Sequence, residues 1–153
     1  MDRPFPLPPP MRRALDLARE AAEAGEVPIG AVVTRDGAII AEGQNRNRRD
    51  NDPTAHAEMV AIRAAAAAIG DFRLTGCDLW VTLEPCPMCA GAISHARIAR
   101  LYYGASDEKG GAVEQGAQVF AQPQCLHRPE VYAGLGEAES AALLKRFFAD
   151  RRG

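Results

Sequence analysis

One imidazole, one carboxylate and two thiols are concentrated in two short stretches, His56-Ala57-Glu58 and Pro85-Cys86-Pro87-Met88-Cys89. Thiolates and a neutral imidazole are zinc ligands, and a carboxylate beside a zinc-held water can move its protons. His56, Cys86 and Cys89 would supply three protein ligands and leave the fourth position for water, the layout of a catalytic rather than a structural zinc. Cys86 and Cys89 stand three apart at an expected helix start, so their side chains share a face, and the free N–H groups of that first turn favour thiolates. Glu58 would lie about 200° from His56 on a regular helix. The pair can therefore converge only if the metal lies at the helix end, where Glu58 would act as the proton shuttle.

Other uses of these groups stand beside this one. A structural zinc would need a fourth protein ligand, with Cys77, Cys125 or His127 available. A lone C-x-x-C could be redox-active, but that motif usually opens a thioredoxin-like unit near the N-terminus, and here it follows H-x-E. The order H-x-E then P-C-x-x-C is the pattern of zinc-dependent nucleobase deaminases. Cys77 and Cys125 otherwise read as ordinary thiols, His95 and His127 as surface or satisfied histidines, and Met59 and Met88 as packing residues.

The elements that must position these groups follow from periodicity. Apolar residues Leu15, Leu17, Ala18, Ala21 and Ala22 recur at helical spacing over residues 11–24, ended by Gly25. Apolar runs at 28–34 and 38–42 flank Arg35-Asp36-Gly37, which predicts a hairpin. A polar loop leads to Thr54, expected to cap an alanine-rich helix over 55–69 that Gly70 ends. Strands are expected at 78–82, 98–103 and 130–133, with a helix opening near Pro87 and an amphipathic one over 137–151. Strand and helix alternate, which predicts an α/β sandwich on one mixed sheet.

At 153 residues, 47% hydrophobic and 25% charged, the chain has the size and balance of one globular domain. No apolar stretch is long enough to span a membrane. Residues 1–10, dominated by proline, read as a flexible arm without the apolar core of a signal peptide, ahead of a catalytic domain over 11–153. Reduced thiols in a cytoplasmic setting are therefore expected. The net charge of −2 gives no bulk attraction to nucleic acid. Lys109 and Lys145 are the only lysines, and arginines gather at Arg46, Arg48 and Arg49 and at Arg146, Arg151 and Arg152. Each group is either solvated surface or a set of phosphate contacts.

Five segments carry a family resemblance: E-V-P-I-G-A-V-V at 26–33, N-D-P-T-A-H-A-E at 51–58, V-T-L-E-P-C-P-M-C-A-G-A-I at 81–93, A-R-I-A-R-L-Y-Y-G-A at 96–105 and A-A-L-L-K-R-F-F at 141–148. Through them, residues 11–152 resemble bacterial tRNA-specific adenosine deaminases of the cytidine-deaminase-like superfamily. The resemblance implies a three-layer α/β/α fold around a five-stranded mixed sheet. It implies one Zn²⁺ per subunit on His56, Cys86 and Cys89, with Glu58 as proton shuttle. It further implies that Asn45 contacts the flipped nucleotide, that Val27, Pro28 and Ile29 line the base pocket, and that the N–H groups of Ala57 and Cys86 face the base. Asp107 and Lys109 match a loop that shapes the anticodon, and Phe148, Arg151 and Arg152 a helix that touches tRNA. The implied reaction is hydrolytic deamination of adenosine to inosine at the wobble position of a tRNA anticodon, by a homodimer. The chain departs from the family in carrying Glu114-Gln115 and Leu126-His127 where many members have Gly-Ser and Asn-His. The catalytic core is shared with guanine and cytosine deaminases, so a free-base or nucleoside deaminase is the alternative, and a non-catalytic zinc-binding subunit a second.

Overall fold

Alternation along the strands decides the architecture. In β1 (Gly30–Arg35), Ala31 and Val33 join one core while Val32 joins another. In β3 (Cys77–Leu83), Leu79 and Val81 face the first core and Trp80 the second. In β4 (Arg100–Ala105), Leu101 and Tyr103 face the first and Tyr102 packs on the second. A sheet apolar on both faces must be covered on both. Helices α1 (Pro9–Glu23) and α4 (Glu137–Arg152) cover one face, and α2 (Ala57–Ile69) and α3 (Pro87–His95) the other, giving three α/β/α layers. The computed structural model describes residues 6–152, the side chain of Arg152 excepted.

The five strands run in the order β2 (Ala38–Gln44), β1, β3, β4, β5 (Glu130–Tyr132). β1 is antiparallel to both neighbours, whereas β3, β4 and β5 are parallel, so the sheet is mixed as expected. The step from β3 to parallel β4 needs a crossover, which α3 provides. Asp36 (φ 51°) and Gly37 (φ 81°) turn β1 into β2 with two positive φ angles, the geometry a two-residue hairpin needs. Among the described residues no helix is long and apolar enough to cross a membrane.

Several boundaries depart from the sequence-based expectations. α1 begins at Pro9 rather than residue 11, because prolines at the first helical positions lose no hydrogen bond there. Leu7, expected in the flexible arm, packs against the α1–sheet core, while residues 1–5 of that arm lie outside the described residues. Thr54 does not cap α2: its hydroxyl donates to Asp52 Oδ1, and the helix starts later, with His56 as its N-cap.

Two glycines set the spacing between layers. A Cβ on Gly43 would lie 2.4 Å from the Ala57 carbonyl oxygen and 2.7 Å from the Ala61 nitrogen. One on Gly30 would lie 2.0 Å from the Ala14 carbonyl oxygen. Small residues on both sides let α2 and α1 lie directly on the strands, with Ala57, Ala61 and Ala65 fully buried. Gly43→Ala is therefore expected to overpack the β2–α2 contact and cost about 1–3 kcal/mol in denaturant unfolding. Because the displaced turn also carries the start of α2, zinc affinity should fall with stability.

Candidate active site

His56 and Cys86 occupy equivalent places, each as the N-cap of a helix and each in extended backbone conformation (ψ 154° and 174°). Neither side chain makes a cap hydrogen bond, so both are free to bind elsewhere. His56 Nδ1 lies 3.5 Å from the sulfurs of both Cys86 and Cys89. Zinc–nitrogen and zinc–sulfur bonds of about 2.0 and 2.3 Å at a tetrahedral angle place nitrogen and sulfur about 3.5 Å apart. The two nitrogen–sulfur distances match that value, and all three donor atoms lie within 4.8 Å of one another, close enough to hold one zinc ion. Because His56 precedes the helix, the 200° separation from Glu58 does not arise; Glu58 occupies the first turn and turns inward.

The protonation of the site follows from its crowding. The Cys86 thiol is held down to about 4, by its hydrogen bond with Cys89 first and then by His56. Cys89 is pushed up by that same bond and by burial. One proton is thus shared by the two sulfurs, and a dication is what lets both become thiolates. His56 is raised by its hydrogen bond to Cys86. Burial pushes Glu58, only 4% exposed, up to about 7, with the Cys86 thiolate adding to the rise. A carboxyl group that titrates near neutrality suits proton transfer in both directions.

Asn45 is buried and fixed at three points. Its Oδ1 accepts from the Ala57 N–H at 2.8 Å, its own N–H donates to Ile29, and its carbonyl oxygen accepts from Arg49 Nη2. The Ala57 N–H, expected to face the base, is instead spent on Asn45. That bond fixes the carboxamide orientation and leaves Asn45 Nδ2 without a protein partner among the described residues, as a donor for a ligand.

A cleft of 820 Å³ brings together Val27, Ile29, Asp107, Lys109 and Phe148 from three parts of the chain. Leu83, Ala141 and Leu144 complete its apolar wall. Pro28 is buried behind Val27 and Ile29 and does not line it. Asp107 Oδ1 accepts from the N–H groups of Lys109 and Gly110, so its carboxylate shapes its own loop. Arg151 lies elsewhere, its guanidinium 4.2 Å above the Phe147 ring, in a hollow of 330 Å³ shared with Arg19 and Arg146. The Arg152 side chain lies outside the described residues. Arg46 pairs with Asp50 and Arg49 with Glu26, so two arginines of the first cluster are engaged within the protein. His127 Nε2 is 2.7 Å from the Ile98 carbonyl oxygen, a structural role. Cys77 is buried in the sheet core, and Cys125 lies against Ser94 and the His127 carbonyl.

Sequence reading missed two buried acids. Glu26, 2% exposed, accepts from the N–H groups of Arg48 and Arg49. Glu84, also 2% exposed, accepts from four backbone N–H groups and one hydroxyl. Burial would raise the Glu84 carboxyl, but the N–H donors outweigh it and hold it below its ordinary value. Such acids give no spacing signal, because most of their partners are main-chain groups.

The sequence matches the model of the cytidine and deoxycytidylate deaminase zinc-binding region over residues 9–105. It is 60% identical over 142 residues to a tRNA-specific adenosine deaminase of Agrobacterium fabrum, covering 93% of each chain. The chain belongs to this deaminase family. Its fold matches a structure from work on A-to-I editing by tRNA:A34 deaminases at the wobble position of transfer RNA, with TM-score 0.87 and 61% identity over 88% of this chain and 98% of that one. A Bacillus subtilis guanine deaminase is also similar, at TM-score 0.64 and 40% identity over 94% of this chain and 92% of its own. The family's zinc-binding region supports one zinc ion, and among the described residues His56, Cys86 and Cys89 form a group whose donor atoms lie close enough together to hold it.

Zinc binding to the metal-free protein should release protons, chiefly from Cys89 and His56, which calorimetry in buffers of different ionisation enthalpy would detect. Affinity should accordingly fall as pH is lowered. Cys86→Ser and Cys89→Ser should lose the metal, whereas Cys77→Ser and Cys125→Ser should keep it; zinc loss in Cys125→Ser would mean a closed four-ligand site.

Proposed function

We propose that this protein deaminates adenosine to inosine at the wobble position of a tRNA anticodon. The identity of 60% across nearly the whole of both chains carries this reading over the guanine-deaminase alternative at 40%. The cleft agrees with it: Phe148 of α4 lines it while remaining 47% exposed, leaving room for more than a free base. A cytoplasmic homodimer acting on the anticodon arm completes the proposal, and the intact Glu58 argues against a non-catalytic zinc-binding subunit.

Zinc, when bound, lowers the pKa of a coordinated water and so makes a nucleophile available at neutral pH. The chain's own residues do the rest. Asn45 Nδ2, held by the Oδ1–Ala57 bond, donates to the nucleotide. Val27 and Ile29 offer apolar contact to the base. Glu58 takes a proton from the attacking water, passes it to a ring nitrogen, and delivers a second to the departing amine. Water adds at C6, the C6–N bond breaks, and ammonia leaves. Lys109, exposed at the cleft, and Arg151, in the neighbouring hollow, face the phosphates.

Glu58→Ala should keep stoichiometric zinc and lose at least ~10²–10⁴-fold in turnover, since only proton transfer is removed. A stem-loop carrying adenosine at the wobble position, compared with free adenosine, guanine and cytosine, tests the substrate; deamination of the free bases alone would overturn the reading. Arg151→Ala should weaken stem-loop binding and flatten its salt dependence by a slope of about 0.7–0.9 for each phosphate no longer neutralised. An unchanged slope would remove Arg151 from the RNA surface.

A further inference from the structure

The loop between β4 and the 3₁₀ turn at Val119–Ala121 has almost no core of its own, yet it presents Asp107 and Lys109 to the cleft. One buried carboxylate closes it. Glu84 Oε1 accepts from the Asp107 N–H at 2.9 Å and from Ser106 Oγ at 3.2 Å, at the loop's first end. Oε2 accepts from the N–H groups of Val113, Glu114 and Gln115 at 3.0, 2.9 and 2.9 Å, at its second end. Gln115 Nε2 donates to Ser106 Oγ, joining the two ends across the carboxylate, and the Tyr103 hydroxyl donates to Glu114. The Ala112 N–H donates to the carbonyl of Pro85, the residue that follows Glu84. Gly111 has no room for a side chain, because a Cβ there would lie 2.5 Å from the Glu84 carboxyl carbon.

Glu84 is two residues from Cys86, so the loop is fixed to the strand end that delivers a zinc ligand. We propose that Glu84 is a positioning residue for substrate: it holds the 106–115 loop in register with the metal centre so that Lys109 and the cleft wall meet the nucleic acid. It touches neither substrate nor metal, and its effect passes through the loop. This rests on the tRNA-deaminase reading for its substrate, although the anchoring itself does not.

A glutamine at position 84 has the same shape, but whichever way its amide is turned one acceptor is lost, leaving either the Asp107 N–H or those of Val113, Glu114 and Gln115 unpaired and removing the negative charge from every remaining bond. In the zinc-loaded full chain, Glu84→Gln should retain its zinc and raise KM for an anticodon stem-loop about tenfold to a hundredfold, the scale of losing charge-assisted hydrogen bonds, while kcat changes much less. Unchanged KM, a fall confined to kcat, or loss of zinc would each overturn the proposal. Gly111→Ala, which pushes the loop off an intact carboxylate, should raise KM in the same way; an unchanged KM there would also overturn it. Hydrogen exchange of the wild-type protein needs no variant. The amides of Asp107, Val113, Glu114 and Gln115 should exchange slowly and that of Glu108, without a partner among the described residues, quickly. Fast exchange at all five would overturn the anchor. If the wild type fails to deaminate the stem-loop, the functional reading falls, and the exchange result alone decides the anchor.

Discussion

Two helix N-termini converge on one point, and each is capped by a residue whose side chain is reserved for metal. His56 precedes α2 and Cys86 precedes α3, and neither spends its side chain on its own helix. The unsatisfied N–H groups of a first turn carry partial positive charge, so they favour the thiolate state that zinc requires. The arrangement depends on the sheet. α2 and α3 cover the same face, and the small contacts Gly43–Ala57 and Gly43–Ala61 set how deeply α2 settles. A wider helix–sheet spacing would separate His56 from the two sulfurs, and the 3.5 Å donor distances leave little tolerance.

Buried carboxylates perform the same service for the loops that the helices perform for the metal. Glu26 binds the 46–50 loop, whose Arg49 in turn holds the Asn45 carbonyl; Glu84 binds the 106–115 loop. Each is almost fully buried, and each is kept ionised by main-chain donors rather than by a lone cation. A buried charge without such partners would cost several kcal/mol, so these loops and their acids stabilise one another or neither is ordered. Cleft geometry therefore rests on hydrogen bonding where apolar packing is thin.

The clustering of the metal-binding side chains was legible because their spacing is local. His56, Glu58, Cys86 and Cys89 lie in two short windows, and their residue types admit few chemistries. The mixed sheet was legible too, since strands 30–35 and 77–83 are apolar on both faces. The start of α2 was misplaced because Thr54 resembles a cap, and only the Asp52 carboxylate that accepts its hydroxyl reveals the other use. The pairing of Asn45 with the Ala57 N–H was hidden by the sequence distance of twelve residues between them. Glu84 stood inside a recognised motif, but its donors are groups 22 to 31 residues away, mostly on the backbone, which no side-chain pattern records. Arg151 beside Phe147 rather than at the main cleft reflects helix phase: Ala141, Leu144 and Phe148 share one face of α4, and Phe147 and Arg151 share another.

Proton transfer and nucleic-acid binding make opposite demands on a site, and this fold separates them. A proton shuttle needs a dry setting, and burial lifts the Glu58 carboxyl to about 7, where a carboxyl group can both accept and donate. An RNA hairpin needs the reverse, an open surface with exposed cations. The exposed Lys109 and half-exposed Phe148 stand on a loop and a late helix, while Glu58 and the metal ligands stand on helix starts against the sheet. Asn45 links the two regions: its Oδ1 accepts from the Ala57 N–H at the start of α2, its own N–H donates to Ile29 of the cleft, and its amide nitrogen has no protein partner among the described residues. Changes in the 106–115 loop or α4 can therefore redirect which nucleobase carrier is admitted without disturbing the zinc site.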